Sequence, residues 1–460
     1  MYQLDFQKPI HVHFIGIGGI SMSGLAEILL SEGFTVSGSD MKASELTENL
    51  EQKGAKIIIG QKAENIESPD LVVYTAAIRP DNPEFQAAVE KGIPMLSRAD
   101  LLGELMNNYS EAVNIAGTHG KTTTTSMITN ILLEASKDPT VSVGGSLDSI
   151  GGNVRIGSSD LFVAEACEYT NSFLSFHPTI AVILNVEADH LDFFKDIDDI
   201  RQSFRRFVGK LPQDERGLLV LNGDIKDPGY FTEGMGCSVM TFGSSAGCDY
   251  SAKDIVFDEL ARASYTLLYH GKEAGRVTLG VPGEHNVYNS LAAIAVADRL
   301  KISRELTLQG LKSYTGVRRR FEYKGKVNGF TIVDDYAHHP QEITATLSAA
   351  ALYPHRKVHV IFQPHTYTRT KALLPEFSEA LKAADEVILA DIYAAREKNT
   401  IGISSEDLCD LINQNGGHAV YYPTFQKIIQ YVLETVEPGD LLITMGAGNV
   451  VDIADQLISE

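Results

Sequence analysis

The residues Asn114 to Ala135 read NIAGTHGKTTTTSMITNILLEA. A common phosphate loop follows G-x-x-x-x-G-K-[ST]. Gly120, Lys121 and Thr122 supply the end of that pattern, but Ile115 stands where its first glycine belongs, and Gly117 comes two residues later. The context is still that of a phosphate loop: the apolar run AVNIAG, a turn, then a helical pattern. Backbone amides from Thr118 to Lys121 would point at an anion, aided by the helix dipole. Lys121 would reach β- and γ-phosphates, and the Thr122 hydroxyl would ligate Mg²⁺. The β-branched run Thr122 to Thr125 is poor for helix propensity, so intrinsic helicity does not explain it. A capped helix carrying a chance lysine is the structural alternative.

A second glycine turn, GIGGISMSG (Gly16 to Gly24), stands where a first strand meets a first helix. It fits G-x-G-x-x-G except that Ser21 replaces the last glycine, and Asp40 ends the next strand where a ribose-binding acid belongs. NAD, the diphosphate of a UDP-sugar and a purely structural turn all fit these residues.

The elements that must position these turns alternate strand and helix along the chain. HVHFIGI, TVSGSD, AKIIIG and DLVVYTAA form a first series of strands. AVNIAG, LFVAEAC, TIAVILNV and GLLVLNGD form a second, and FTIVDDY, KVHVIFQ, DEVILADI and DLLITMGAG a third. Near-continuous apolar strands alternating with helices predict parallel sheets covered on both faces. The expectation is a three-domain α/β chain. Its parts are a Rossmann-like domain over 1–107, a P-loop-type ATPase domain over 108–316 and a Rossmann-like domain over 317–460. Shorter alternating runs between Met240 and Val281 predict antiparallel strands added to the middle domain.

Composition agrees. The chain has 460 residues, too many for one ordinary core. It is 44% hydrophobic and 22% charged, as soluble globular proteins are. Its formal net charge of -21 disfavours nucleic acid or an anionic membrane as the main partner. Four cysteines lack C-x-x-C spacing, which argues against zinc and disulfides. No export signal and no run of about 18 apolar residues is evident, so a cytoplasmic location is expected.

The shortened loop Gly117-Thr118-His119-Gly120-Lys121-Thr122 resembles the ATP loop of the Mur ligases, the ATP-dependent amino-acid ligases of peptidoglycan synthesis. Folylpolyglutamate synthases share it. VAEACEYTNSFLSFHP, ILNVEADHLD, GEHNVYNSLAAIA, GVRRRFE and VDDYAHHPQEI follow in the family's order. With GIGGISMSGLA they cover essentially the whole chain. Taken together they most resemble the branch that joins L-alanine to the carboxylate of UDP-N-acetylmuramate through an acyl phosphate, with ATP and two Mg²⁺ sites; the first motif argues for the muramate acceptor. A sister ligase, or one attaching a tripeptide to the same nucleotide, is the near alternative. An NAD-dependent dehydrogenase and a non-catalytic or signalling ATPase are the remote ones.

The resemblance implies roles residue by residue. Gly117 to Thr123, including His119 and Thr123, should hold ATP, with His285, Asn286, Asn289, Arg319, Arg320 and Asp335. Lys121, Glu168, His190, Arg319 and His338 should be catalytic. Thr122, Glu168 and His190 should hold metal, with Glu165 the runner-up for Glu168. Many relatives carry a carbamylated lysine near the position of Arg205; the alanine-adding branch is expected to lack it. Gly16, Gly18, Gly19, Ser21, Asp40, Thr75, Asn82, Ser172 and His177 should meet the UDP substrate. Tyr336, His338, Arg369, Tyr393 and Arg396 should surround the amino acid. Small-molecule substrates, and a monomer or homodimer, are expected. Because these residues fall in different domains, catalysis should require the domains to close.

Overall fold

The computed structural model describes residues 3–75, 77–191, 193–245, 247–395 and 397–459. The chain divides into two compact units. One comprises Met1–Ser251, Leu268–Glu273 and Asn289–Gly310; the other comprises Ala252–Leu267, Ala274–Tyr288 and Leu311–Glu460.

The first sheet holds β1 (His11–Ile15), β2 (Thr35–Asp40), β3 (Lys56–Ile59), β4 (Leu71–Tyr74) and β5 (Met95–Ser97). Its order is β3-β2-β1-β4-β5, and every pair is parallel. The order reverses between β1 and β4, which makes a crevice at the strands' carboxyl ends. The glycine turn leaves β1 there, and Thr75 follows β4.

The second sheet holds β6 (Glu111–Ala116), β7 (Thr140–Leu147), β8 (Gly152–Arg155), β9 (Leu161–Ala166), β10 (Ile180–Ile183) and β11 (Leu218–Asn222). It continues through β12 (Ser238–Phe242), β13 (Tyr250–Phe257), β14 (Arg262–Tyr269) and β15 (Lys272–Pro282). Its order is β15-β14-β13-β12-β11-β10-β6-β9-β7-β8. β6 lies parallel between β10 and β9, so the phosphate loop leaves a buried central strand. The segment after Met240 does supply strands: β14 alternates buried and half-buried residues along its length. It joins β15 through the two-residue turn His270–Gly271, a connection that only an antiparallel pair accepts.

The third sheet holds β16 (Glu322–Val327), β17 (Phe330–Asp335), β18 (Val358–Phe362), β19 (Glu386–Leu389), β20 (Ala419–Tyr421) and β21 (Leu441–Met445). Its order is β16-β17-β21-β18-β19-β20, parallel except for the β16–β17 hairpin. Asn328 and Gly329 turn that hairpin with φ of 47° and 88°, the paired left-handed geometry of a tight hairpin. All five residues of β18, VHVIF, are buried, as expected of a strand covered on both faces. Among the described residues no helix is long and apolar enough to cross a membrane.

Candidate active site

The phosphate loop runs from β6 into the helix Lys121–Glu134. Gly120 caps that helix in the left-handed region, φ 83°. A Cβ there would lie 2.7 Å from Asn289 Oδ1, and one at Gly117 would lie 2.9 Å from Leu184 Cβ. Both glycines are therefore required by space as well as by backbone conformation.

The loop is braced by the segment after β10. The His119 amide donates to Asn185 Oδ1 at 2.8 Å, and Asn185 Nδ2 donates back to the His119 carbonyl at 3.1 Å. The Glu187 amide donates to Thr118 Oγ1 at 3.0 Å, and His119 Nε2 lies 3.7 Å from Glu187 Oε2. Thr122 and Thr123 follow in the first turn, both half-buried.

Lys121 Nζ donates to the Gly117 and Thr118 carbonyls and lies 3.1 Å from Glu168 Oε2. Glu168 is 2% exposed. Burial pulls the Lys121 pKa down, but the charge and hydrogen bond of Glu168, together with the smaller influence of Cys167 and Glu165, outweigh it and hold the ammonium above its ordinary value. His190 Nε2 stands 3.8 Å from Glu168 Oε1 and 3.6 Å from Asp189 Oδ2, and its ring packs on Tyr169 at 4.5 Å. Glu165 Oε1 accepts from the Gly144 amide at 2.6 Å, and its charge still acts on Lys121. Arg205, at the lysine position of relatives, donates to the carbonyls of Tyr230 and Glu233.

A buried carboxylate, an imidazole and the Thr122 hydroxyl at a helix start form a hard donor set of the kind Mg²⁺ accepts while keeping several waters. Among the described residues no group of three His, Cys, Asp or Glu is placed to hold a metal by itself. The set therefore fits an ion completed by phosphate and water, and does not fit a closed all-protein cage.

At the glycine turn, the Gly18 amide donates to Asp40 Oδ2 at 2.9 Å, and the Met41 amide donates to Asp40 Oδ1 at 2.7 Å. Asp40 thus fastens the turn itself. Gly16, φ 85°, leaves no room for a Cβ, which would meet Thr75 Cγ2 at 2.8 Å; a Cβ at Gly19 would find ordinary contact distances. Ser21 accepts from Arg98. Asn82 caps the helix Pro83–Glu90, accepting from the Glu84 and Phe85 amides and donating to Gln61. Its polar atoms are engaged locally. Ser172 Oγ donates to the Tyr169 carbonyl. Buried His177 Nε2 has no hydrogen-bond partner, and burial lowers the pKa of that ring.

In the third sheet's unit the three arginines separate. Arg318 is exposed. Arg319, φ 63°, donates from Nε to Asp334 at 3.1 Å and from its other nitrogens to the Gly446 and Gly448 carbonyls. Arg320 stands 3.8 Å from Glu342 and over the Tyr336 ring at 5.3 Å. Asp335 accepts from the Phe321 and Ala337 amides, and burial raises its pKa to about 6 against the opposing charge of Arg320. Burial and then Arg320 lower His285 to about 4, so that ring is neutral at pH 7. Asn286 donates to the Pro282 carbonyl at 2.7 Å, the preceding turn of its own segment.

Tyr336 and His338 face each other at 5.4 Å, and His338 meets His365 at 5.9 Å. His365 stacks on Tyr393 at 5.6 Å, and its buried Nδ1 has no hydrogen-bond partner. Burial, then His338 and Arg369, push His365 down to about 4. His338, Arg369 and Tyr393 therefore gather around His365, and Tyr336 packs on His338. Arg396 lies outside the described residues.

Three residues in this geometry carry weak sequence signals. Asn185 follows an apolar strand two positions after its end. His365 sits in QPHTYTRT, where arginine draws the eye first. Arg98 shows only a Ser-x-x-Asp cap around it.

A lysine-bearing phosphate loop ion-paired to a buried acid, beside a sheet with a glycine turn at its switch point, defines a nucleotide-dependent α/β enzyme. Family models match in the same order: the Mur ligase family catalytic domain over residues 11–110, the Mur ligase middle domain over 115–297, and the Mur ligase glutamate ligase domain over 319–448. The chain belongs to the Mur ligase family. It is 60% identical over 460 residues to the UDP-N-acetylmuramate–L-alanine ligase of Lachnospira eligens, covering all of both chains. It is 56% identical to the ligase of the same name from Agathobacter rectalis, again over all of both chains. The crystal structure of UDP-N-acetylmuramate-alanine ligase MurC from Thermotoga maritima superposes with a TM-score of 0.80 at 29% identity, covering 98% of each chain. A murein peptide ligase from Psychrobacter arcticus gives 0.69 at 25% identity, also covering 98% of each chain.

Proposed function

We propose that this chain uses ATP to join L-alanine to the carboxylate of UDP-N-acetylmuramate, a step of peptidoglycan precursor synthesis. The observation that carries the reading is Lys121, held between the loop carbonyls and buried Glu168 in a chain 60% identical to a ligase of that name.

A carboxylate does not accept an amine at neutral pH, because its leaving group would be an oxide. Its oxygen therefore attacks the γ-phosphorus of ATP, the bond to the β-phosphate oxygen breaks, and ADP leaves. The alanine amine then attacks the acyl carbon, the carbon–oxygen bond to phosphate breaks, and the amine gives up a proton. The first step must bring two anions together and the second must orient a neutral amine at the acyl carbon, so the protein acts through position and charge. The Thr118 and His119 amides are bonded to Asn185, so the amides of Gly120 and Lys121, with the Lys121 ammonium, cradle the terminal phosphates. Glu168, His190 and Thr122 would hold Mg²⁺, which neutralises charge between phosphates and carboxylate. A second Mg²⁺ site belongs to the same reading.

Gly16, Gly18 and Gly19 bind the diphosphate of the sugar nucleotide. Arg319 is bonded into the sheet and is assigned to holding its strand; Arg320, half-buried over Tyr336 and close enough to Asp335 to act on its pKa, is assigned to the γ-phosphate. His365, neutral at pH 7, sits with His338, Tyr336, Tyr393 and Arg369 where the amino acid binds. Cytoplasm suits a reaction that consumes ATP in a chain of four free cysteines. Domains over 1–107, 108–316 and 317–460 follow the three sheets.

The test is ADP release with UDP-N-acetylmuramate and L-alanine, glycine, L-serine, D-glutamate or a tripeptide in turn, with product mass measured. L-Alanine should give the fastest release and a product heavier by one alanyl residue. ATP turnover without the nucleotide sugar, or a tripeptide product, refutes the reading.

A further inference from the structure

Arg98 opens the helix Arg98–Met106, which leaves β5. The start of that helix is locked. Ser97 and Asp100 form a reciprocal capping box, and the second Asp100 oxygen accepts from Ser175 Oγ at 2.7 Å. One turn on, a Cβ at Gly103 would lie 1.9 Å from the Ser175 carbonyl oxygen. The helix is thus a bracket between the first sheet and the segment that follows Glu168.

The guanidinium on this bracket has an unusual setting. Its NH1 donates to Ser21 Oγ at 2.9 Å, at the helix that opens from the glycine turn. Among the described residues no carboxylate lies within ion-pair distance. Burial lowers its pKa, and the one titratable neighbour that opposes this is the Cys167 thiol, which burial itself keeps protonated. The same thiol lies in the field of Lys121 and directly precedes Glu168. Arg98 is half-buried, and its guanidinium is partly withdrawn from water without a counter-charge. A planar fork of donors in such a place suits a carboxylate or phosphate brought by a ligand.

We propose that Arg98 grips the lactyl carboxylate of the sugar nucleotide and holds it near Cys167, between the glycine turn and Lys121, an inference that rests on the ligase reading above. The diphosphate has the amides of Gly16 to Gly19. The carboxylate must lie near Lys121 to meet the γ-phosphate. Ser21 aims the fork from behind.

The experiment is equilibrium binding of UDP-N-acetylmuramate and of UDP-N-acetylglucosamine, which lacks the lactyl group, to the full chain and to Arg98→Ala and Arg98→Lys. Arg98→Ala should weaken the first ligand about 10- to 100-fold, the range of a charged hydrogen-bonded pair, and leave the second unchanged. Arg98→Lys, which keeps charge but loses the fork, should show the same selectivity at smaller size. It decides the matter if the alanine variant melts early. Millimolar guanidinium should restore turnover to Arg98→Ala, which a purely structural arginine would not allow. Equal weakening of both nucleotides, or no weakening, overturns the inference. Failure of the unaltered chain to bind UDP-N-acetylmuramate sinks the ligase reading instead.

Discussion

Removing the side chain of Asn185 tests whether the phosphate loop is shaped before ATP arrives. Asn185 does not belong to the Gly-Lys-Thr segment. It binds both polar groups of the His119 peptide unit's neighbourhood, accepting from the amide at 2.8 Å and donating to the carbonyl at 3.1 Å. Each such bond is worth about 0.5–1.5 kcal/mol net, so Asn185→Ala should cost the loop about 1–3 kcal/mol of preference for its bound shape. If that shape is then a minor state, the apparent affinity falls by the fraction lost, roughly 5- to 150-fold. Titration calorimetry with a non-hydrolysable ATP analogue measures this directly. Hydrogen exchange at the His119 and Gly120 amides should accelerate alongside, while exchange in β6 and β10 stays slow. The sugar nucleotide, held by another sheet, should bind as before. Unchanged ATP affinity with faster loop exchange would refute the reasoning, because the loop would then be ordered by the ligand alone. Unchanged exchange would refute the brace itself.

The remaining expectations concern charge. Lys121→Ala should lower turnover at least 100-fold, the loss seen when a group stabilising transition-state charge is removed. It should also lower stability by about 3 kcal/mol, because buried Glu168 loses its ammonium partner and keeps, among the described residues, only His190 at 3.8 Å, and Lys121→Ala with Glu168→Ala should restore the melting temperature without activity. Asp335, raised to about 6, stabilises the fold fully below its ordinary value of 3.8, and that contribution is lost as pH rises through 6. Asp335→Asn should therefore gain about 3 kcal/mol relative to the parent between pH 4 and 7 in denaturant titrations. Buried His359 bonds Glu386 at 2.9 Å and Asp440 at 3.1 Å, with Tyr431, His418 and Arg356 facing the same two acids. Burial lowers its pKa but these acids raise it further, so its stabilisation is full below 6.5 and is lost as pH rises through the elevated value. His359→Gln should thus lower the melting temperature more at pH 6 than at pH 9; an equal drop at both contradicts a charged imidazole.

The three sheets were legible because parallel strands buried on both faces are written as short unbroken apolar runs, such as VHVIF and IAVI. Lys121 and Glu168 were placed by motif, and the geometry brings them together at 3.1 Å. What the sequence concealed is which polar atoms are already engaged. Nothing in the run Arg318 to Arg320 says that the middle arginine is bonded to Asp334 and two glycine carbonyls across the sheet. That outcome depends on β17 and β21 pairing, 110 residues apart in the register Asp334↔Thr444. Asp40 likewise reads as a ribose acid by position, yet its oxygens fasten the backbone of the turn. Arg98 was invisible because its meaning lies in the absence of an acid nearby, which no linear pattern records.

The contact of Gly103 with the Ser175 carbonyl has a consequence for how this molecule can vary. A hydrogen atom is the whole side chain at that crossing, so one methyl group would wedge the two backbones apart. The distance from the glycine turn to Cys167 is then set by main chain against main chain. Neighbouring side chains can drift without stretching it, and a homologue bearing alanine there would have to shift an entire helix to keep the same span.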